Sequence, residues 1–97
     1  MNNIIVKEIE HDEKGWKYQV TIMGAGGQTI HQVLLTKDYF NLLTAGVDVR
    51  PENLVKESIR FLLEREPKES ILSAFDLKII NNYFPEYEDE IKERCNG

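Results

Sequence analysis

The stretch Trp16-Lys17-Tyr18-Gln19-Val20-Thr21-Ile22-Met23 sets Trp16, Tyr18, Val20 and Ile22 in alternation with Lys17, Gln19, Thr21 and Met23. A period of two marks a strand with one face on a core, because successive side chains point to opposite sides of a sheet. Upstream, Ile4 to Ile9 is a shorter apolar and β-branched run. Between the two lies His11-Asp12-Glu13-Lys14-Gly15, a polar stretch ending in a glycine suited to a tight turn. Downstream, Gly24-Ala25-Gly26-Gly27 precedes Gln28 to Leu35, where Thr29, His31, Val33 and Leu35 share one face and Ile30, Gln32 and Leu34 the other. Connections this short join antiparallel neighbours, so residues 1–35 predict a three-stranded antiparallel meander.

Near Thr36 the period becomes helical. Thr36 suits an N-cap, Asp38 the first turn, and Gly46 the end of a helix over Lys37 to Ala45, whose apolar stripe is Tyr39, Phe40, Leu42 and Leu43. A long helix is expected from Pro51 to Glu66, opened by one proline and stopped by Pro67. Its apolar residues Leu54, Val55, Ile59, Phe61, Leu62 and Leu63, with Ser58, cover an arc of roughly 200° at helical spacing. That is wider than one flat contact needs. Sheet and later helices, or another subunit, are expected to cover it, while Asn53, Lys56, Glu57, Arg60 and Glu64 form a solvated stripe. A short helix from Pro67 through Phe75 should face Ile71, Leu72 and Phe75 inward. A second, capped by Asp76, should run from Leu77 to Tyr83, with Tyr83 on its inner face. A last one follows Pro85, with Tyr87, Ile91 and Cys95 as its seam. The fold class is thus α+β: a meander followed by four to five helices packed around one long helix, as a single domain over residues 1–97 with the sheet in 1–35 and the helices in 36–97.

The chain has 97 residues and a formal net charge of -5, which leaves room for one core and excludes a large enzyme with its own cofactor domain. One cysteine, Cys95, can build neither a disulfide framework nor a cysteine-rich zinc site. No apolar run approaches the roughly 20 residues of a membrane span, and the first residues lack a signal-like pattern. The expectation is a cytoplasmic protein without a membrane segment.

No catalytic constellation stands out. His11 reads as a solvated turn residue and His31 as a hydrogen-bonded structural histidine. Cys95 reads as an unreactive thiol, since the negative end of a helix dipole disfavours a thiolate. Glu8, Glu10, Asp12 and Glu13 have no metal-loop signature, and Gly24 to Gly27 is followed by a strand instead of the helix that a phosphate cradle needs. Arg65 breaks its local pattern by heading toward the apolar side of the long helix. A buried cation must be paired, so it calls for a carboxylate among Glu69, Asp76, Glu86 and Glu88, or for helix-end carbonyls.

FLLEREPKESIL (Phe61 to Leu72), FDL (Phe75 to Leu77), Ile79-Ile80 and YFPEYE (Tyr83 to Glu88), with Leu35-Thr36, Tyr39-Phe40 and Leu43 upstream, resemble a group of small prokaryotic proteins. Arg50 stands before Pro51 where that pattern often has Ser or Thr, which weakens the expected cap. No activity is established for that group, so the resemblance implies no catalytic, cofactor or metal residue. The leading functional expectation is a non-catalytic protein-interaction or regulatory module, with a protein partner or a second copy using a sheet edge or the wide helix face. A nucleic-acid-binding regulator is the alternative, through Lys78, Asn81 and Asn82 with Arg60 or Lys68. Charge argues against it, because residues 49–97 hold eight basic side chains against eleven acidic ones. A third reading is a small enzyme or ligand-binding protein near His31.

Overall fold

The computed structural model describes residues 3–96. Three long strands come first: β1 (Asn3–Asp12), β2 (Gly15–Gly24) and β3 (Gly27–Thr36). Helices α1 (Lys37–Thr44) and α2 (Pro51–Leu63) follow, then a short strand β4 (Ala74–Asp76), a one-turn α3 (Ile80–Tyr83) and α4 (Tyr87–Asn96). The class is α+β.

Two tight turns set the register of the long strands. Asp12 Oδ1 accepts from the backbone N–H of Lys14 and Gly15, which folds β1 back onto β2. A side chain at Gly15 would overlap the Leu35 carbonyl oxygen and approach Thr36 Cα at 2.8 Å, so glycine is what lets β3 lie this close. β2 returns into β3 with Gly24 opposite Gly27, and Gly26 takes the left-handed φ of +91° that this turn needs. The glycine cluster is therefore a hairpin connection.

The sheet differs from the expected three strands. β4 adds to β3 in parallel, with Val33 opposite Phe75, giving a four-stranded mixed sheet in the order β1-β2-β3-β4. Residues 67–75 were expected to form a helix, but they hold only a single 3-10 turn, Lys68–Ser70, before the chain extends. The spacing of Ile71, Leu72 and Phe75 suits a helix, yet long-range bonds win locally. The Gln32 N–H donates to Ser73 O at 2.8 Å, and His31 Nδ1 donates to Leu72 O at 2.7 Å. Ile71 and Phe75 are buried as a result, whereas Leu72 is left 48% exposed.

The helices differ in detail as well. α2 ends at Leu63 instead of Glu66, and residues 64–66 form a turn held by Arg65 N–H to Leu62 O and Glu66 N–H to Leu62 O. Pro67 disfavours helical backbone at Glu66, which sharpens that exit. α1 is capped by Thr36 Oγ1, which accepts from Tyr39 N–H, while Leu42 of its expected stripe faces solvent. Arg50 gives α2 no side-chain cap. The segment expected to be helical from Leu77 to Tyr83 begins as a 3-10 turn, Leu77–Ile79, with Asp76 accepting from Lys78 N–H, and leaves Tyr83 65% exposed.

All helices lie over one face of the sheet. Tyr18, Val20 and Ile22 of β2 and Val33 and Leu35 of β3 point into the core, where Leu54, Val55, Ile59, Phe61 and Leu62 of α2 meet them. α4 packs on α2 and α1 through Tyr87 and Ile91, both fully buried. Ser58 fixes that contact: its hydroxyl donates to Leu54 O at 2.8 Å and so receives the Tyr87 hydroxyl at 2.7 Å. Among the described residues no element covers the other sheet face.

Candidate functional site

β1 is a ten-residue strand that, among the described residues, has β2 on one side and no strand on the other, so its outer edge presents unpaired backbone groups. Ile4 and Val6 point to the core side and are half-buried, packed at the margin of the core. Ile5 points to the open face and is 51% exposed. Register places Ile5 beside Thr21 and Thr21 beside Ile30, itself 51% exposed, so an apolar row crosses the uncovered face. Leu34 extends it on β3. Beyond Glu8 the strand changes character: the register shifts between Glu8 and Glu10, and Glu8, Glu10 and Asp12 make this half of the edge acidic. A bulge there twists the edge away and the carboxylates resist another strand, so the accessible template is the apolar half, Asn3 to Lys7.

Ile5 was not singled out from the sequence, although Ile4-Ile5-Val6 is apolar at both parities, which means that both faces of this strand are apolar. The same signal sits in β3, where Ile30 and Leu34 alternate with a core face that is apolar too.

The structure places the other candidates as follows. His31 is buried on the core side of β3. A carbonyl can only accept, so its Nδ1 carries a proton toward Leu72 O, while Nε2 shares a 2.8 Å hydrogen bond with Thr29 Oγ1. Both ring nitrogens are engaged in holding β3 to the segment that enters β4. His11 stacks on Trp16 at 5.3 Å between ring centroids, exposed at the hairpin end, beside a cleft that also takes in Lys14, Lys17 and Asp76. Burial, with the nearby Glu57 charge, pushes the Cys95 thiol up. Among the described residues no group of three His, Cys, Asp or Glu side chains is placed to hold a metal ion.

Arg65 lies over the Phe61 ring at 3.6 Å from its centroid, with Nε at 3.1 Å from Glu86 and Nη2 at 3.2 Å from Glu90. Nη1 donates to Phe61 O at 3.2 Å. Of the four carboxylates expected, it meets Glu86; Glu69 pairs with Lys68, Glu88 accepts from Tyr39 Oη, and Asp76 caps the 3-10 turn. Glu90 belongs to a second arginine too, since Arg94 Nη2 lies 2.7 Å from both Glu90 and Glu64. Hydrogen bonds to its own backbone and to Arg65 hold Glu86 below the usual carboxylate range, and Arg94 and Arg65 do the same for Glu90.

Lys78 and Asn82 are exposed, but Asn81 Oδ1 accepts from Glu88 N–H and is occupied in starting α4. Arg60 and Lys68 are paired with Glu57 and Glu69. A second cleft, of about 200 Å³, opens between Leu62, Ile71, Phe75, Ile79, Ile80 and Phe84, with Glu66 on its rim. No helix is long and apolar enough to cross a membrane among the described residues. No protein family matches the chain, and neither a curated protein nor a solved structure matches it.

Proposed function

We propose that this chain is a non-catalytic protein-interaction module that recruits its partner along the open edge of β1. The observation that carries this is the half of that edge before the register shift, Asn3 to Lys7, where exposed Ile5 is continuous with the uncovered row Thr21 and Ile30. Unpaired N–H and C=O groups supply affinity to any extended segment, and side chains at alternate positions supply selectivity. Natural proteins blunt such edges; here only the acidic half is blunted. The test is affinity capture from the native cell with the wild-type chain and with Ile5→Lys as baits. Partners held by the wild type and lost from the variant are expected. An identical set on both baits overturns this reading.

A further inference from the structure

We infer that the cleft beside the end of α2 is a binding site for a small apolar cation, a single ring or short branched chain that carries one ammonium group. The cleft opens where α2 stops and the chain turns out through Pro67, with the loop to β4 on one side and residues 79–84 on the other. Leu62, Ile71, Phe75 and Ile80 wall it and are buried, whereas Leu72 and Tyr83 are exposed and stand at its mouth. Its volume is about 200 Å³. An apolar cavity of roughly 150 Å³ takes up benzene, so one ring with a short arm matches this space. Drug-sized ligands need pockets of about 300 Å³ or more.

Charge selects the head group. Among the described residues Glu66 is the one charged side chain in the lining, it is half-buried, and it enters no ion pair. The cations near it in the chain are engaged elsewhere, Arg65 with Glu86 and Glu90 and Lys68 with Glu69. Lys78 is exposed and lies outside the lining. A carboxylate beside apolar walls attracts a cation more strongly than one in open water, because the local dielectric is lower. Phe75, Tyr83 and Phe84 add aromatic rings, whose faces attract ammonium groups. An extended peptide finds less here, since the Leu72 and Ser73 carbonyls already accept from His31 and from the Gln32 N–H. No residue of β1 lines the cleft, so this site and the β1 edge stand or fall separately.

Three probes of similar shape make the test: phenethylamine, phenethyl alcohol and hydrocinnamate, which at neutral pH are a cation, a neutral molecule and an anion. Each is titrated into the full chain and followed by the backbone amide signals in NMR spectra. The amine is expected to shift the signals of Leu72, Ile80 and Tyr83 and to bind more tightly than the alcohol, with the anion weakest. Glu66→Gln is expected to bind the amine about fivefold more weakly and the alcohol as before, while Ile5→Lys binds all three like the wild type. Ser70→Trp, at an exposed lining position, should fill the mouth and abolish binding; if that variant does not fold, Glu66→Gln decides alone. Absence of shifts at the lining residues up to the solubility limit of the amine overturns the site. Equal binding of amine and alcohol, or amine binding that Glu66→Gln leaves intact, overturns the choice of a cation and with it the inference. Native-cell partners lost from Ser70→Trp, with no amine bound by the wild type, would give the cleft to a protein segment and overturn the small ligand.

Discussion

Tyr18 places its phenol in the core, where Oη finds no hydrogen-bond partner among the described residues. A buried unsatisfied hydroxyl costs stability, so Tyr18→Phe is expected to stabilise the fold by about 1 kcal/mol, read from urea unfolding; a clear loss would mean that the hydroxyl is bonded in solution. Burial raises the ionisation of Tyr18, Tyr39 and Tyr87 far above the ordinary tyrosine range, with Glu52 and Glu8 adding to the effect at Tyr18 and Glu88 at Tyr39. Their contribution is complete below the unfolded value of about 10 and is lost as pH rises beyond it, because only the unfolded chain can then ionise. Absorbance at 295 nm should therefore show these three phenolates appearing together, with unfolding. Gly15 tolerates no side chain against Leu35 O, so Gly15→Ala should cost about 2–3 kcal/mol, at the upper end of ordinary point mutations. A neutral result by thermal melting would show that the β1–β2 turn can shift.

Among the elements, α4 is tied down by charge at its surface and by Tyr87 and Ile91 beneath. Glu86 and Glu90 have lowered ionisation, so the stability they contribute is present above the usual carboxylate range and drains away as pH falls through it. Melting temperature is expected to fall as pH is lowered from about 5 to about 3, the range in which carboxylates protonate. Glu86→Gln with Glu90→Gln should flatten that slope, and an unchanged slope would place the acid sensitivity elsewhere. Much of this docking was legible in advance: the excess positive character of Arg65 on an apolar arc demanded a carboxylate, and the acidic start of the last helix held Glu86. Glu90 was not, because which turn of α4 faces α2 depends on how Ser58 and Tyr87 lock the two helices together. β4 was illegible for a similar reason. Three residues are too few to display a period of two, and the segment that leads into them is held extended by His31, 41 residues before Leu72 and not marked by local pattern as a latch.

At the scale of the whole molecule, the alternation in β2 and β3 gave away the core face, and so the sheet in outline, from the chain alone. The same alternation, with Lys17, Gln19 and Thr21 between the core residues, marked the second face as the one turned away from the core. The open edge is a property of strand order, which no single strand reveals. β4 protects the opposite edge only at Gln32 to Leu34, and it joins β3 across everything from α1 to the 3-10 turn, so it is the pairing with the largest chain closure to meet. That closure makes β4 the pairing expected to form last and to open first, which hydrogen exchange at Gln32 would read. With β4 detached, β3 is open at Gln32 to Leu34 as well as along the rest of its outer edge. The His31 bond to Leu72 therefore acts as the latch that keeps the β3 edge closed where β4 lies on it.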